Sequence, residues 1–341
     1  MWNICKIKFN MLIMCIAAIL CSITVSFAEE QSFSPEMEII IEGSMLGDML
    51  VSSGIGTLIH NYTRMDTTYI INNQHFQNCI KAGNCIILDS YDRFKNIAFD
   101  HDKIFFEIKY EIPDILNELG EPQTIQTVYA SNGERLDVFN IEGVGNKGII
   151  QPRGTIYPAS PNFINGFKTH NPGYNSMTIM GKPVHEFLLD RIEEKSKISI
   201  LGEELIDGNV CQIIQSCVAG PDSCFTLWLD TELYYWPRRI EIQRADGKMT
   251  INSSFIKYND DLWYLKERIV DDYYYEENAG NLIHVSRDTY RVANDFKLNT
   301  EIPVSLFEID FPRGLEVYDY SLQEYIIVDD ITEVESRINI Q

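Results

Sequence analysis

The sequence predicts a mainly β fold made largely of antiparallel strands. Apolar and polar residues alternate in several segments, as expected for strands that bury one face. Short turn sequences containing Gly, Asn and Asp separate these segments, which favours hairpins. Aromatic residues make up 11% of the chain, with 18 Tyr, and aromatic side chains are enriched in strands. From about residue 198 to residue 312 these features predict a continuous antiparallel meander.

The alternation is clearest in Ile104–Tyr110, where every second residue is apolar and is predicted to lie on one face. The same pattern recurs later in the chain at Phe225–Leu229 and Ile240–Ile242. In Trp263–Ile269 the first, third and last residues are predicted to share a face. Turn sequences such as Asp207–Asn209 lie between these segments and predict hairpin connections.

Helices are predicted at three places. Pro183 precedes a segment with the 3.6-residue apolar period of an amphipathic helix, which ends near Glu194. A second helix is predicted over Glu36–Val51, and a short helical turn over Ile112–Leu119. The apolar residues of the first of these helices are Val184, Phe187, Leu188 and Ile192.

The segment Gly143–Tyr174 is predicted to be a long loop, because it is rich in Gly and Pro and shows no period. It begins with a Gly-x-Gly-x-x-Gly motif at Gly143, Gly145 and Gly148. A phosphate-binding version of this motif must follow a strand and open a helix. Pro152 and further prolines follow here, so the motif is interpreted as a flexible loop.

The amino terminus has the pattern of a secretory signal peptide. Lys6 and Lys8 precede the apolar run Met11–Val25, and small residues precede a predicted cleavage site after Ala28. The apolar run is shorter than a spanning helix requires, and no later segment is long enough. The predicted organisation is therefore a signal peptide (1–28), a single domain (29–320) with inserted loops at about 75–90 and 143–174, and a carboxyl-terminal tail (321–341). Export to the periplasm or cell surface follows from it.

The net charge of −22 argues against nucleic acid as a partner, because an acidic surface repels phosphate backbones. In an exported protein, cysteines that are near neighbours are interpreted first as disulfides. The sequence predicts the pairs Cys79–Cys85 and Cys217–Cys224 and leaves Cys211 over. Neither a metal nor a cofactor is predicted, because the cysteine spacing does not fit a zinc site.

No motif indicates catalysis. The chain contains no Gly-x-Ser-x-Gly sequence, and His185 lies on the predicted amphipathic helix. A metal site at Asp100–Asp102 and a sugar-stacking site at Tyr273–Tyr275 are alternatives, but a turn and an exposed hairpin explain these segments more simply. The protein is therefore predicted not to be an enzyme.

The second half of the chain, about residues 180 to 320, resembles the LolA-like superfamily of exported bacterial proteins, which includes lipoprotein carriers, LolB-like receptors and RseB-like sensors. The residues that carry the resemblance are, in chain order, Pro183–Leu189, Ile200–Glu204, Asp207, Gly208, Cys211, Leu227–Asp230, Trp236–Glu241, Trp263–Tyr264, Ile302–Pro303, Leu306–Phe307 and Phe311–Val317. The resemblance implies a curved antiparallel half-barrel with a few helices packed on its concave face. In that superfamily the concave face takes up acyl chains.

Two hypotheses about function follow. In the first, the protein is a carrier or sensor that holds the acyl chains of a lipid or an acylated protein. In the second, it is a structural or protein-interaction module of the cell envelope whose groove is permanently filled by its own helix. The residues predicted to line the groove are Phe225, Leu227, Leu229, Ile240, Ile242, Trp263 and Leu265, with Val184, Phe187, Leu188 and Ile192 on the plug helix; each of them also fits a plain hydrophobic core.

Overall fold

The computed structural model describes residues 34–51, 53–65, 90–100, 103–116, 122–145, 148–150, 152–158, 178–194, 196–217, 224–259, 262–275 and 281–328. The predicted signal peptide and the predicted disulfide Cys79–Cys85 lie outside these residues.

The described residues form two helices, α1 (Pro35–Leu50) and α2 (Val184–Glu193), and a short 3-10 helix at Val304–Phe307. Neither α1 nor α2 has the length and apolar character needed to span a membrane. The strands are β1 (Ser53–Arg64), β2 (Ser90–Asp100), β3 (Lys103–Leu116), β4 (Pro122–Ser131), β5 (Arg135–Gly145), β6 (Gly148–Ile150), β7 (Arg153–Pro158), β8 (Thr178–Ile179), β9 (Lys182–Pro183), β10 (Lys197–Ile206), β11 (Asn209–Cys217), β12 (Cys224–Asp230), β13 (Pro237–Arg244), β14 (Gly247–Asn259), β15 (Leu262–Tyr275), β16 (Leu282–Val292), β17 (Lys297–Leu298), β18 (Glu316–Asp319) and β19 (Glu324–Ile327).

Seventeen of these strands belong to one sheet, and the predicted mainly β, antiparallel fold class is confirmed. Strands β10 to β16 form a meander of successive antiparallel pairs. Strand β1 lies between β16 and β2, and therefore joins this meander to a second one, β2 to β5, in a single sheet. The first meander ends at Val292, earlier than predicted, because the two-residue strand β17 and the 3-10 helix follow it.

The helical turn predicted over Ile112–Leu119 is wrong, since β3 continues to Leu116. The spacing of Ile112, Ile115 and Leu116 is compatible with a helix, but Ile112 lies opposite Gln123 and Leu116 opposite Pro122 on β4. The register shifts between these two pairs. Pairing with the neighbouring strand therefore overrides the local helical pattern.

The loop predicted to begin at Gly143 begins instead with strands β5 to β7. Gly154 on β7 is required by packing, because a Cβ there would lie 2.6 Å from Val317 Cγ2 and 2.8 Å from Phe311 Cε1. Val317 belongs to β18, which pairs with β7 in parallel and with β19 in antiparallel orientation. Strand β19 (Glu324–Ile327) lies within the segment predicted as a carboxyl-terminal tail.

The chain divides into two compact units between Glu42 and Gly43, within helix α1. In the first unit the structure describes residues 34–42, where Ser34 Oγ accepts a hydrogen bond from the backbone N–H of Met37 (3.3 Å). The second unit contains the rest of α1, helix α2 and the whole sheet.

The predicted disulfide between Cys217 and Cys224 is confirmed. The two residues lie directly opposite each other on β11 and β12, so the bond crosslinks the hairpin at the end where residues 218–223 connect its two strands. Cys211, which the sequence left over, is a buried free thiol. Burial raises the pKa of this thiol to about 11, so it stays protonated.

Candidate functional site

One face of the sheet carries the apolar residues predicted to line a groove. Phe225, Leu227 and Leu229 alternate along β12 and are all buried on this face, which we call the Leu227 face. Helix α2 packs against it, because the rings of Phe187 and Phe225 meet edge to face with their centroids 5.2 Å apart. The Arg191 guanidinium lies 5.0 Å from the centroid of each ring and extends the contact.

Most of the predicted groove residues lie together on this face. Ile240 is opposite Leu227, and Ile242 is opposite Phe225. Ile240 is buried and Ile242 is half-buried. On the plug helix, Val184, Phe187 and Leu188 are buried, and Ile192 is half-buried.

A β-bulge in β15 determines where the two remaining predicted groove residues, Trp263 and Leu265, lie. Leu265 pairs with Phe255 and Glu267 with Ser254, so Lys266 is an extra residue in β15. Leu265 belongs to the hydrophobic cluster that contains Phe255, and half-buried Trp263 packs against that cluster. Past the bulge the alternation is reversed, and the prediction that Ile269 shares a face with Leu265 is wrong.

Helix α1 packs closely on the turn between β12 and β13. A Cβ at Gly43 would lie 2.5 Å from Tyr235 Cδ2, and a Cβ at Gly47 would lie 2.6 Å from Trp236 Nε1. These two glycines, one helical turn apart, therefore set how near the helix approaches the turn. The Ser44 hydroxyl on the same helix accepts the backbone N–H of His185 (3.2 Å), which links α1 to α2.

The Leu227 face continues across the sheet to polar residues. Leu227 lies opposite Ile240, Ile240 opposite Ile251, Ile251 opposite Val270, and Val270 opposite Asp288. Residues directly opposite each other in antiparallel strands project on the same face. Four strand spacings separate Leu227 from Asp288, which corresponds to about 19 Å.

At that distance the face carries a group of four basic residues, of which three are buried and Arg93 is half-buried. Tyr290 lies opposite both Arg268 and His60, and His60 lies opposite Arg93. Lys95, two residues along β2 from Arg93, lies on the same face with Nζ 5.6 Å from the centroid of the Tyr290 ring. We call Arg93, Lys95, His60 and Arg268 the cationic cluster.

His60 occupies the centre of the cationic cluster and is 3% exposed. Its ring stacks on Tyr290 at 4.2 Å between centroids, and its Nε2 donates to Asp288 Oδ1 at 2.6 Å. Burial lowers the pKa of His60, the charges of Lys95 and Arg93 lower it further, and the bond to Asp288 opposes both effects. Its imidazole is therefore neutral at pH 7.

Two cations of the cluster are buried at considerable cost. Lys95 is 5% exposed and Arg268 is 7% exposed. Burial, together with the charge of Arg93, lowers the pKa of Lys95 to about 8. Burial also lowers the pKa of Arg268 to about 10. Among the described residues, no carboxylate lies within 4 Å of Lys95 Nζ.

Burial of Lys95 predicts a pH-dependent stability. Because its pKa is about 8 in the folded protein and 10.5 in an unfolded chain, the unfolded state binds more protons between these values. Because of Lys95, the free energy of unfolding is therefore expected to increase as the pH rises from 8 to 10.5. Urea denaturation at several pH values should show this rise in the wild type and its loss in Lys95→Met. The matched control is Lys248→Met, whose ammonium pairs with Glu241 at 2.7 Å on the opposite face; parallel wild-type and Lys95→Met curves would contradict the prediction.

Sequence reasoning did not identify the cationic cluster. Strand β1 shows a usable signal, because Leu58 and His60 are two residues apart and so share a face. The signal for Lys95 is its position between Arg93 and Ile97 on one face of β2. In both strands basic residues occur on a face that also carries apolar residues, which is informative in a chain of net charge −22.

The residues of the resemblance around Leu227–Asp230 have a structural role. Asp230 Oδ1 accepts the backbone N–H groups of Glu232 (2.8 Å) and Leu233 (3.1 Å), and its other oxygen pairs with Arg238 Nε. On the opposite face, Trp228 Nε1 donates to Glu204 Oε2 at 2.7 Å. These contacts fix the turn between β12 and β13.

The fold and the site together define a mainly antiparallel β protein with a helix packed on an apolar sheet face. No family model matches the chain, and no curated protein matches it. Its fold is similar to that of three solved structures. A DUF1329 family protein from Desulfovibrio piger has 12% identity and a TM-score of 0.39, with 84% of this chain and 99% of that chain covered. A putative outer membrane lipoprotein-sorting protein domain from Vibrio parahaemolyticus has 12% identity and a TM-score of 0.38, with 80% and 97% covered. A LolA superfamily protein from Nitrosomonas europaea has 13% identity and a TM-score of 0.36, with 80% and 98% covered.

Proposed function

We propose that this protein is an exported binding protein that holds the acyl chain of a lipid or an acylated protein on the Leu227 face, as a carrier or sensor and without catalysis. The observation that carries the proposal is an apolar sheet face covered by a short helix. Each methylene moved from water to such a face contributes about 0.8 kcal/mol, so a long acyl chain would bind well.

Helix α2 has the properties of a removable cover. It has only 10 residues, and no side chain caps its amino terminus. Isolated helices of this length are marginal in water, so α2 depends on its contact with the sheet. An acyl chain that takes the place of Phe187 against Phe225 would compensate for the apolar contact that the helix loses.

The confirmed disulfide supports export, because such bonds persist in oxidising compartments. The buried Cys211 would be kept from exchange with it by its raised pKa and its burial. The charge supports a soluble carrier of apolar cargo, since a net charge of −22 opposes aggregation.

A second candidate is an envelope interaction module whose apolar face is permanently filled. Val184 and Leu188 of α2 have no exposed surface, which favours a fixed helix. Among the described strands, β10 pairs on one side alone, and Leu201 and Leu205 on it are 55% and 67% exposed. An edge strand with exposed apolar residues can pair with another chain.

Native mass spectrometry separates the two candidates. The mature protein, purified from the periplasm, is expected to carry an adduct of lipid mass that organic extraction removes. A protein of apo mass that stays unchanged with added phospholipid or acylated peptide would overturn the lipid-binding proposal. A protein partner crosslinked through β10 would then favour the second candidate.

Whether α2 acts as a removable cover is tested by measuring the uptake and release of a fluorescent fatty acid. The variant is Phe187→Ala, which weakens the contact between α2 and Phe225. We expect faster uptake and faster release than in the wild type, because the helix would leave the face more easily. Val304→Ala is the matched control, because Val304 is 59% exposed and lies on the 3-10 helix. Unchanged rates in Phe187→Ala would show that α2 does not gate the face.

A further inference from the structure

The cationic cluster is difficult to explain as a structural feature alone. A buried charge is costly unless a counter-charge and hydrogen bonds compensate for it. Lys95 is 5% exposed, its ammonium lies 5.6 Å from the centroid of the Tyr290 ring, and among the described residues no carboxylate lies within 4 Å of it. Asp288 Oδ1 accepts a hydrogen bond from His60 Nε2 in this cluster.

The cluster also differs from the rest of the sheet in how its charges are arranged. On the opposite face, Lys248 and Arg239 both pair with Glu241. Arg287 pairs with Asp271 through two hydrogen bonds of 2.7 and 3.0 Å, and Arg291 pairs with Glu267 at 2.6 Å. That face balances its basic residues with acidic ones, whereas Lys95 has no carboxylate within 4 Å among the described residues.

We propose that the cationic cluster binds the acid group, a carboxylate or a phosphate, of an amphiphile whose chain lies along the Leu227 face. This inference rests on the proposed function and adds the class of ligand: an anionic lipid. The apolar row from Leu227 to Val270 leads directly to Asp288 and to the cluster beside it. One face therefore provides an apolar row about 14 Å long, from Leu227 to Val270, with the cationic cluster beside its end.

The chemistry of the cluster suits an acid group. A carboxylate or phosphate beside Lys95 would accept a charge-assisted hydrogen bond from its ammonium. Binding of an anion would also raise the lowered pKa of Lys95, so the ligand would relieve a cost that the empty protein bears. His60, held by Asp288 and stacked on Tyr290, would fix the base of the site.

The experiment compares palmitate with hexadecanol, which has the same chain and no charge, by calorimetric titration of the mature protein after organic extraction. Lys95→Met removes the charge and keeps most of the stem; replacing a buried charge by an apolar side chain is often neutral or stabilising, so this variant is expected to fold. We expect it to weaken palmitate binding about tenfold to a hundredfold and to change hexadecanol binding less than about twofold. Lys248→Met, on the opposite face, should leave both affinities unchanged.

The outcomes distinguish this inference from the proposed function. If neither ligand binds the wild type, the proposed function fails. If both bind with equal affinity and Lys95→Met alters neither, the protein binds acyl chains but the acid-group site is wrong. Titration with inorganic phosphate and acetate completes the test, because binding of these ions at Lys95 without any binding of palmitate would overturn the amphiphile as the ligand.

Discussion

Asp230→Asn is expected to lower the free energy of unfolding by about 3 to 5 kcal/mol, the usual cost of removing one partner of a buried ion pair. Asp230 is fully buried and Arg238 is 6% exposed. The amide keeps an acceptor for the turn but carries no charge, so the guanidinium loses its counter-charge. Urea denaturation of the wild type and the variant at pH 7 measures the difference.

Two further variants test whether the loss of stability in Asp230→Asn comes from the buried ion pair. In Asp246→Asn the lost pair is a surface one, since the Asp246 side chain is 68% exposed and lies 3.9 Å from Arg244 Nε. The expected loss there is below about 1 kcal/mol. Arg238→Met combined with Asp230→Asn should recover part of the stability, because no uncompensated charge remains. A loss below about 1 kcal/mol in Asp230→Asn itself would mean that the turn does not depend on this pair.

The meander β10 to β16 could be predicted from the sequence because each of its pairs is local. Alternating residues and turn sequences identify hairpins without information from distant parts of the chain. The position of β1 could not be predicted in this way. Its neighbours are β2 and the far more distant β16, and nothing in the local pattern of Ser53–Arg64 specifies the second one.

The candidate site was predictable in its apolar part and not in its charged part. Phe225, Leu227 and Ile240 were predicted because period two places them on one face, and the structure places them there. Ile269 was misplaced because one extra residue, Lys266, reverses the alternation, and a bulge has no strong signal in sequence. The cationic cluster draws residues from β1, β2 and β15, so it becomes visible only when the sheet is assembled.

Leu227→Ala is expected to lower the free energy of unfolding of lipid-free protein by about 2 to 5 kcal/mol, as for other large-to-small changes in a packed core. Leu227 is fully buried and lies between Ile214 and Ile240, which are also buried. Truncation removes three side-chain carbon atoms and leaves a cavity that rigid strands cannot close. The matched control is Leu205→Ala, at a position 67% exposed, with an expected loss below about 0.5 kcal/mol.

The same measurement bears on function. A loss of about 2 to 5 kcal/mol in Leu227→Ala would show that α2 and the sheet are packed together when no lipid is bound. An acyl chain must then displace the helix. A loss as small as that of the control would instead mean that the face is open to water in the empty protein, and that a lipid binds there without moving α2.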